Sequence, residues 1–238
     1  MAFDNAFGLS KVKHIVVISS CKGGVGKSTI ACALAKALAK EGHKVGLLDA
    51  DFYGPSIPTL FNLKDTHVLV NEFKLLEPIE AEGMKVMSSG LVMGEVPAIL
   101  RGPMVSKYLQ QLLFQTQWGD CDFLVIDMPP GTGDVALTIT QSLKISAAIV
   151  VTTPQALALA DVKRGIAMFH KMNVPILGAV VNMAYFQCTH CQQRQAIGED
   201  TAALSKTLDT PVLAEIPFDA KGNVDAYLKP VTIAVQGL

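Results

Sequence analysis

Charge is scarce in this sequence: Asp, Glu, Lys and Arg make up 17% of 238 residues, against roughly 25% in an average soluble domain. Neither sign prevails. Lys+Arg 20 against Asp+Glu 21 gives a formal net charge of -1, so no overall basic field draws the chain to nucleic acid or anionic lipid. Long apolar runs are missing too. The best stretch, Ala147 to Ala160, is broken by Thr152, Thr153, Pro154 and Gln155, short of the roughly 18 uninterrupted residues a membrane helix needs. The N-terminal MAFDNAFGLSKVKH lacks the apolar core of a secretory signal and the Arg and Ser richness of a transit peptide. Cys21, Cys32, Cys121, Cys188 and Cys191 are too few and too unevenly spaced for a disulfide framework. A soluble protein of a reducing compartment is expected. That means the cytoplasm, or an organelle matrix or stroma if a transit peptide has been removed, and not secretion. Half of the chain is hydrophobic, which excludes disorder. No repeat, low-complexity segment or composition shift marks a linker, so residues 1–238 are expected to form one domain.

Apolar β-branched runs alternate with helix-period segments, and the runs are nearly continuous, as in strands buried on both faces. Strands are predicted at His14 to Ser19, Lys44 to Asp49, Met84 to Ser88, Asp122 to Asp127, Ala147 to Thr152, Ile176 to Asn182 and Val212 to Glu215. The clearest helix follows the first strand: Ser28 is expected to cap it, Ile30, Leu34 and Leu38 share a face, and Gly42 sits where a left-handed residue ends it. Two more helices are expected from about Val105 to Phe114 and from about Ala156 to Met172, while the terminal KPVTIAVQGL does not read as one. The pattern is α/β, a doubly wound, mostly parallel sheet with helices on both faces. Ligands of such sheets bind beyond the carboxyl ends of the strands, so the residues after each strand matter most.

After the first strand comes SSCKGGVGKST, which opens the first helix and ends in the Walker A pattern of Gly-Lys followed by Ser or Thr. Successive backbone N–H groups from Gly23, Gly24, Val25, Gly26, Lys27, Ser28 and Thr29, with the positive end of the helix, favour a polyphosphate. Lys27 is placed to reach the β- and γ-phosphates, and Ser28 to offer its hydroxyl to magnesium. Cys21 stands where the pattern usually begins with glycine, and reads as a small fitted residue more than as a nucleophile.

The second strand ends in LLDADFYGPS, where Asp49 and Asp51 lie two apart and on the same side of an extended chain. The fourth, DFLVIDMPPGTGD, ends in Asp127, a Walker B position from which a carboxylate holds magnesium, commonly through water. Either of the first two aspartates can instead cap its own turn. Cys188 and Cys191, in MAYFQCTHCQQRQ, have the spacing to share one soft metal or one cluster edge, but supply only half of a four-thiolate site. A structural zinc bridge and a redox dithiol are the competing readings of that pair.

Lys22, just before the paired glycines of KGGVGKS, resembles the additional lysine of the deviant Walker A in MinD/ParA-class P-loop ATPases. That likeness implies that Lys22 acts across a dimer interface on the partner's nucleotide, that Asp51 orients the attacking water and that Asp49 supports the magnesium site. It also implies that Asn182 recognises adenine, against the plain reading of a strand-end amide satisfied by backbone, and that Pro217, in the segment Glu215 to Asp219, helps to cover the base. Asp134, with the loop before it, resembles the class's switch II.

In order, KGGVGKST, DADFYGPSIP, ILRGPMVSKYLQQLL, WGDCDFLVIDMPPGTGD, VVTTPQ and NMAYFQCTHC closely resemble the Mrp/ApbC-type iron-sulfur carrier ATPases, from about Val12 to Asp219. The resemblance implies an ATP- and magnesium-dependent homodimer, with slow hydrolysis. It would bind a labile 4Fe-4S cluster through Cys188 and Cys191 of both subunits and deliver it to apo iron-sulfur proteins. Neither nucleic acid nor membrane is expected as a partner. RGPMV, beginning at Arg101, separates this family from MinD and ParA proper, and no catalytic role is assigned to Arg101. The chain begins almost at the first strand, so the small N-terminal domain of many members is not expected. The alternatives are a nucleotide-switched dimer with a structural zinc bridge and a MinD/ParA-like positioning ATPase. The latter requires a C-terminal amphipathic helix, against which Pro230 and Gly237 are read.

Overall fold

The computed structural model describes residues 7–93, 102–188, 190–198, 201–218 and 224–238. Arg101 and Asp219, singled out above, lie outside the described residues. In chain order the elements are β1 (Val12–Ser20), α1 (Lys27–Lys40), β2 (Val45–Asp49), α2 (Ile57–Leu60), β3 (Ile79–Ala81), β4 (Met84–Ser88), α3 (Ser89–Met93) and α4 (Gly102–Phe114). The second half adds β5 (Cys121–Asp127), α5 (Asp134–Ser142), β6 (Ala147–Thr152), α6 (Ala156–Lys171), β7 (Ile176–Val181), β8 (Tyr185–Gln187), β9 (Arg194–Ala196), α7 (Thr201–Leu208), β10 (Val212–Glu215) and α8 (Lys229–Gln236).

Eight strands form one sheet in the order β10-β7-β6-β1-β5-β2-β4-β3. Only the β3–β4 pairing is antiparallel among them. The chain runs from β1 out to β2, β3 and β4, returns to β5 and then crosses over to β6, β7 and β10, leaving β1 between β5 and β6. The carboxyl end of β1 is therefore a switch point, where a crevice opens between loops that diverge to opposite sides.

Alternation along each strand feeds two separate cores. Ile15 and Val17 of β1 join Leu124, Ile126, Ala148 and Val150 beneath α4, α5 and α6. Val16 and Ile18 turn the other way, joining Val125, Ile149 and Val151 beneath α1 and α8. Burial on both faces is why these strands read as unbroken apolar runs, and each such side chain contributes about 1.5–3 kcal/mol on leaving water.

Two expectations need correction. Ser28 does not cap α1: the cap position is Gly26, at φ 86° and without a side-chain cap hydrogen bond, and Ser28 lies inside the first turn. The first amides of α1 are thus left without a capping side chain, an arrangement suited to an anion. The terminal segment is helical after all. Pro230 falls in the first turn of α8, where a missing N–H costs nothing, and Val231, Thr232 and Val235 are buried. Its apolar face packs beneath the sheet with α1. At the other end of α1, Gly42 has φ 89°, as expected of the residue that ends the helix.

Candidate functional site

At the switch point the phosphate loop, the loop after β2 and Pro130 line a cavity of about 690 Å³. Lys22, Gly23, Gly24, Gly26, Lys27, Ser28, Thr29, Asp51 and Tyr53 are among its lining residues. The loops are tied at their bases. The Gly131 amide donates to the Ser20 carbonyl at 2.7 Å, and the Ala50 amide to the Asp127 carbonyl at 2.9 Å. These bonds set the carboxyl ends of β1, β2 and β5 at one level.

Lys27 and Asp127 meet there, Nζ to Oδ1 at 2.5 Å, with both side chains buried. Burial pushes the Asp127 carboxyl above its ordinary range, while Lys27 and then Ser28 pull it back down. Its second oxygen, Oδ2, is buried without a hydrogen-bond partner. An orphaned oxygen on a carboxyl that also feels the Ser28 hydroxyl suits a hydrated divalent cation, so Ser28 and Asp127 fit magnesium.

The expectation that Asp49 also supports magnesium meets a carboxylate already spent on protein donors. Oδ1 accepts the Asp51 amide at 3.1 Å; Oδ2 accepts the amides of Ser56 and Ile57, both at 3.1 Å, and the Ser88 hydroxyl at 3.0 Å. Asp49 is wholly buried and caps the entry to α2 from a distance in sequence. Burial, followed by the charge of Asp127, pushes its carboxyl up to about 7. Asp51 lines the cavity, and its Oδ1 accepts the amides of Tyr53 and Gly54 at 3.2 Å each.

Asn182, expected at adenine, braces the phosphate loop in this structure. Its Nδ2 donates to the Val25 carbonyl at 2.8 Å, and its Oδ1 accepts the Met183 amide at 3.0 Å. A Cβ on Gly26 would collide with that Nδ2, so the loop closes against Asn182 only with glycine there. Pro217 is buried and is not among the residues that line the cavity. Around it, the Ile216 amide donates to the Val181 carbonyl and the Phe218 amide to the Tyr185 carbonyl.

Three residues of α6 escaped the sequence reading. Asp161 Oδ2 lies 3.9 Å from Lys22 Nζ, and Asp161 is also paired with Arg164. Gly165 makes room for Cys21, since a Cβ there would stand 2.7 Å from its sulfur. Burial pushes the Cys21 thiol up, in keeping with a fitted residue and not a nucleophile.

Cys188 and Cys191 lie in the connection of the β8–β9 hairpin, a two-stranded antiparallel sheet absent from the sequence prediction. Strands of three residues are too short to leave a periodic signal. The Cys188 amide donates to the Gln193 carbonyl at 3.0 Å and the Gln192 amide to the Cys188 carbonyl at 2.9 Å, closing a tight turn. The backbone amides of Cys191 and His190, and then the Cys191 side chain, hold the Cys188 thiol below its ordinary range. Cys191 is exposed. Among the described residues no group of three His, Cys, Asp or Glu side chains is gathered to hold a metal.

A doubly wound parallel sheet with Gly-Lys-Ser between its central strand and the next helix defines the class: this is a P-loop NTPase fold. Within that class the chain matches, over residues 11–230, the ParA model described as NUBPL iron-transfer P-loop NTPase, and it belongs to that family. An iron-sulfur cluster carrier protein of Aquifex aeolicus is 50% identical over 212 residues, covering 87% of this chain and 58% of the Aquifex protein. The iron-sulfur cluster transfer protein NUBPL of Dictyostelium discoideum is 46% identical over 227 residues, covering 93% and 70%. Among solved structures, a nucleotide-binding protein of Archaeoglobus fulgidus in complex with ADP superposes with a TM-score of 0.81 at 37% identity, covering 98% of this chain and 91% of the other. MinD of Pyrococcus horikoshii, with a TM-score of 0.67 at 22% identity and coverage of 94% and 96%, shares the fold. This chain spans 58% of the length of the Aquifex carrier and 59% of that of Escherichia coli.

Proposed function

We propose that residues 1–238 form one ATPase domain that binds magnesium and ATP at the loop after β1, hydrolyses the nucleotide slowly, and works as a homodimer. The dimer carries a labile 4Fe-4S cluster between the Cys188–Cys191 pairs of two copies and delivers it to apo iron-sulfur proteins. The observation that carries this reading is the hairpin pair. One thiol is held toward its thiolate by backbone amides, its neighbour is exposed, and no third ligand is gathered beside them among the described residues. A second copy related by a two-fold axis supplies the missing thiolates. The names of the Aquifex and Dictyostelium relatives support the same cargo.

In the hydrolytic site the amides of Gly23 to Thr29 cradle the phosphates, with Asn182 bracing that loop from beneath. Lys27 exchanges its contact with Asp127 for the β- and γ-phosphates. Ser28 and Asp127 would hold magnesium, which would supply neutralisation of the phosphate charge. Asp51, fixed by the amides of Tyr53 and Gly54, orients the attacking water, and Lys22 reaches the nucleotide of the other copy. We assign Asn182 and Pro217 to the adenine side on the resemblance set out above. Among the described residues no helix is long and apolar enough to cross a membrane. We place the protein in the cytoplasm, or in an organelle matrix or stroma, the latter supported by a relative from Arabidopsis thaliana named as a chloroplastic assembly factor.

The test is Asp51→Asn, assayed for steady-state ATP hydrolysis and for ADP affinity. Turnover should fall about 100-fold with affinity unchanged, in line with loss of a water-positioning group. Unchanged turnover would remove Asp51 from the mechanism.

A further inference from the structure

Polar side chains buried at the end of an apolar strand need a reason, because a hydroxyl taken from water costs free energy unless it is bonded. β4 is buried, with Met84, Val86 and Met87 in the cores, yet it runs into Ser88 and Ser89, both with no exposed surface. The Ser88 hydroxyl donates to Asp49 Oδ2 at 3.0 Å and accepts the Gly90 amide at 3.1 Å. The Ser89 hydroxyl donates to the backbone carbonyl of Asp51 at 2.9 Å.

The two bonds converge on one residue. Asp51 has its amide held by Asp49, its carbonyl held by Ser89, and Oδ1 held by its own turn. Asp49 in turn takes the amides of Ser56 and Ile57, so one carboxylate pins both ends of the loop. The far end of the loop and the first turn of α2 lean on Gly90, where a Cβ would stand 2.9 Å from Pro55 Cγ and 3.3 Å from Pro58 Cγ. Ser88, Ser89 and Gly90 therefore reach the Asp51 loop at separate points along its length.

We propose that Ser88, Ser89 and Gly90 form a bracket that sets the position of Asp51 in the nucleotide cavity, and that the two serines are positioning residues for ATP hydrolysis. This rests on the reading of Asp51 given above. Neither serine lines the cavity, so each acts through the loop and not on the nucleotide. Asp49 then serves the site as the clasp between β4 and the loop.

The test compares Ser88→Ala, Ser89→Ala and Gly90→Ala with wild type and Asp51→Asn in the full chain. It reads kcat, ADP affinity, the magnesium concentration for half-maximal turnover, and amide hydrogen exchange. Each bracket variant should lower kcat about tenfold or more, the scale expected when a reacting group is displaced by a fraction of an ångström, with ADP affinity and magnesium dependence unchanged. The amides of Asp51, Ser56 and Ile57 should exchange faster, while those of Gly24 to Thr29 keep their protection. Gly90→Ala adds a methyl group without burying an unsatisfied polar group, and so reports on the bracket if a serine variant fails to fold. Wild-type kcat in the bracket variants beside an inactive Asp51→Asn would overturn the bracket and leave the reading of Asp51 standing. Loss of ADP affinity in parallel with kcat would also overturn it, as general damage to the fold. Full activity in Asp51→Asn would overturn both.

Discussion

Lys27 Nζ lies 2.5 Å from Asp127 Oδ1, a buried ion pair between the first turn of α1 and the end of β5. Removing one member leaves the other charged and desolvated, whereas replacing both with apolar groups does not. Asp127→Ala should therefore destabilise the nucleotide-free chain by about 3–5 kcal/mol in urea titration, and Lys27→Met/Asp127→Leu should recover most of that loss. A single variant that costs less than about 1 kcal/mol would show that the pair is solvated, with the energetics of a surface contact.

Asp49 gives stability a pH dependence with a definite sign. Its carboxyl is raised from 3.8 to about 7 by burial and by the charge of Asp127. The folded chain thus holds a proton that the unfolded chain has released. This contribution is fully present below the unfolded value and is lost as pH rises through about 7. Thermal midpoints of the nucleotide-free chain, measured between about pH 5 and pH 8, should fall with rising pH, and Asp49→Asn should flatten that fall. Equal slopes in the two proteins would assign the dependence to other groups.

What the sequence made legible followed from locality. Val16, Val17, Val125 and Val150 announce buried strands because each has two apolar neighbours along its own run. The phosphate loop is legible because its residues are consecutive. The bonding of Asp49 is not legible in the sequence because its partners, Ser56, Ile57 and Ser88, include one 39 positions away on a strand that meets β2 only in the fold. Asn182 and Val25 are 157 positions apart, so nothing local reveals that the amide braces the loop. MKVMSSG, an apolar strand closing in two serines, was the available signal for the bracket. α8 is hidden by Pro230, which breaks a helix in its interior but here falls in the first turn.

The five cysteines should differ sharply in reactivity. Backbone amides of Cys191 and His190 favour the Cys188 thiolate, whereas burial pushes Cys32 up to about 12 and Cys121 to about 11. Pulsed alkylation of the metal-free chain near neutral pH, read by mass spectrometry, should modify Cys188 early and leave Cys32 and Cys121 unmodified until unfolding. Early labelling of Cys121 would contradict the packing of β5.

Among the described residues the Lys22 ammonium is paired only with Asp161, at 3.9 Å and with nearly half of the lysine side chain exposed. Exposed pairs of this kind are worth about 0–1 kcal/mol, so the contact is too weak to keep Lys22 from a partner's nucleotide. In sedimentation with ATP and Asp51→Asn as background, Asp161→Asn should shift the dimer constant by less than about fivefold, while Lys22→Ala should suppress pairing. A Lys22→Ala chain that pairs normally would count against action in trans.

Cluster carriage by a pair of chains is tested most directly by iron, acid-labile sulfide and zinc per chain after anaerobic reconstitution, for wild type and Cys188→Ala. The account predicts about four iron and four sulfide per two chains, lost in the variant. Zinc without labile sulfide, even after reconstitution, would contradict it and make the hairpin pair a structural clasp in a nucleotide-switched dimer.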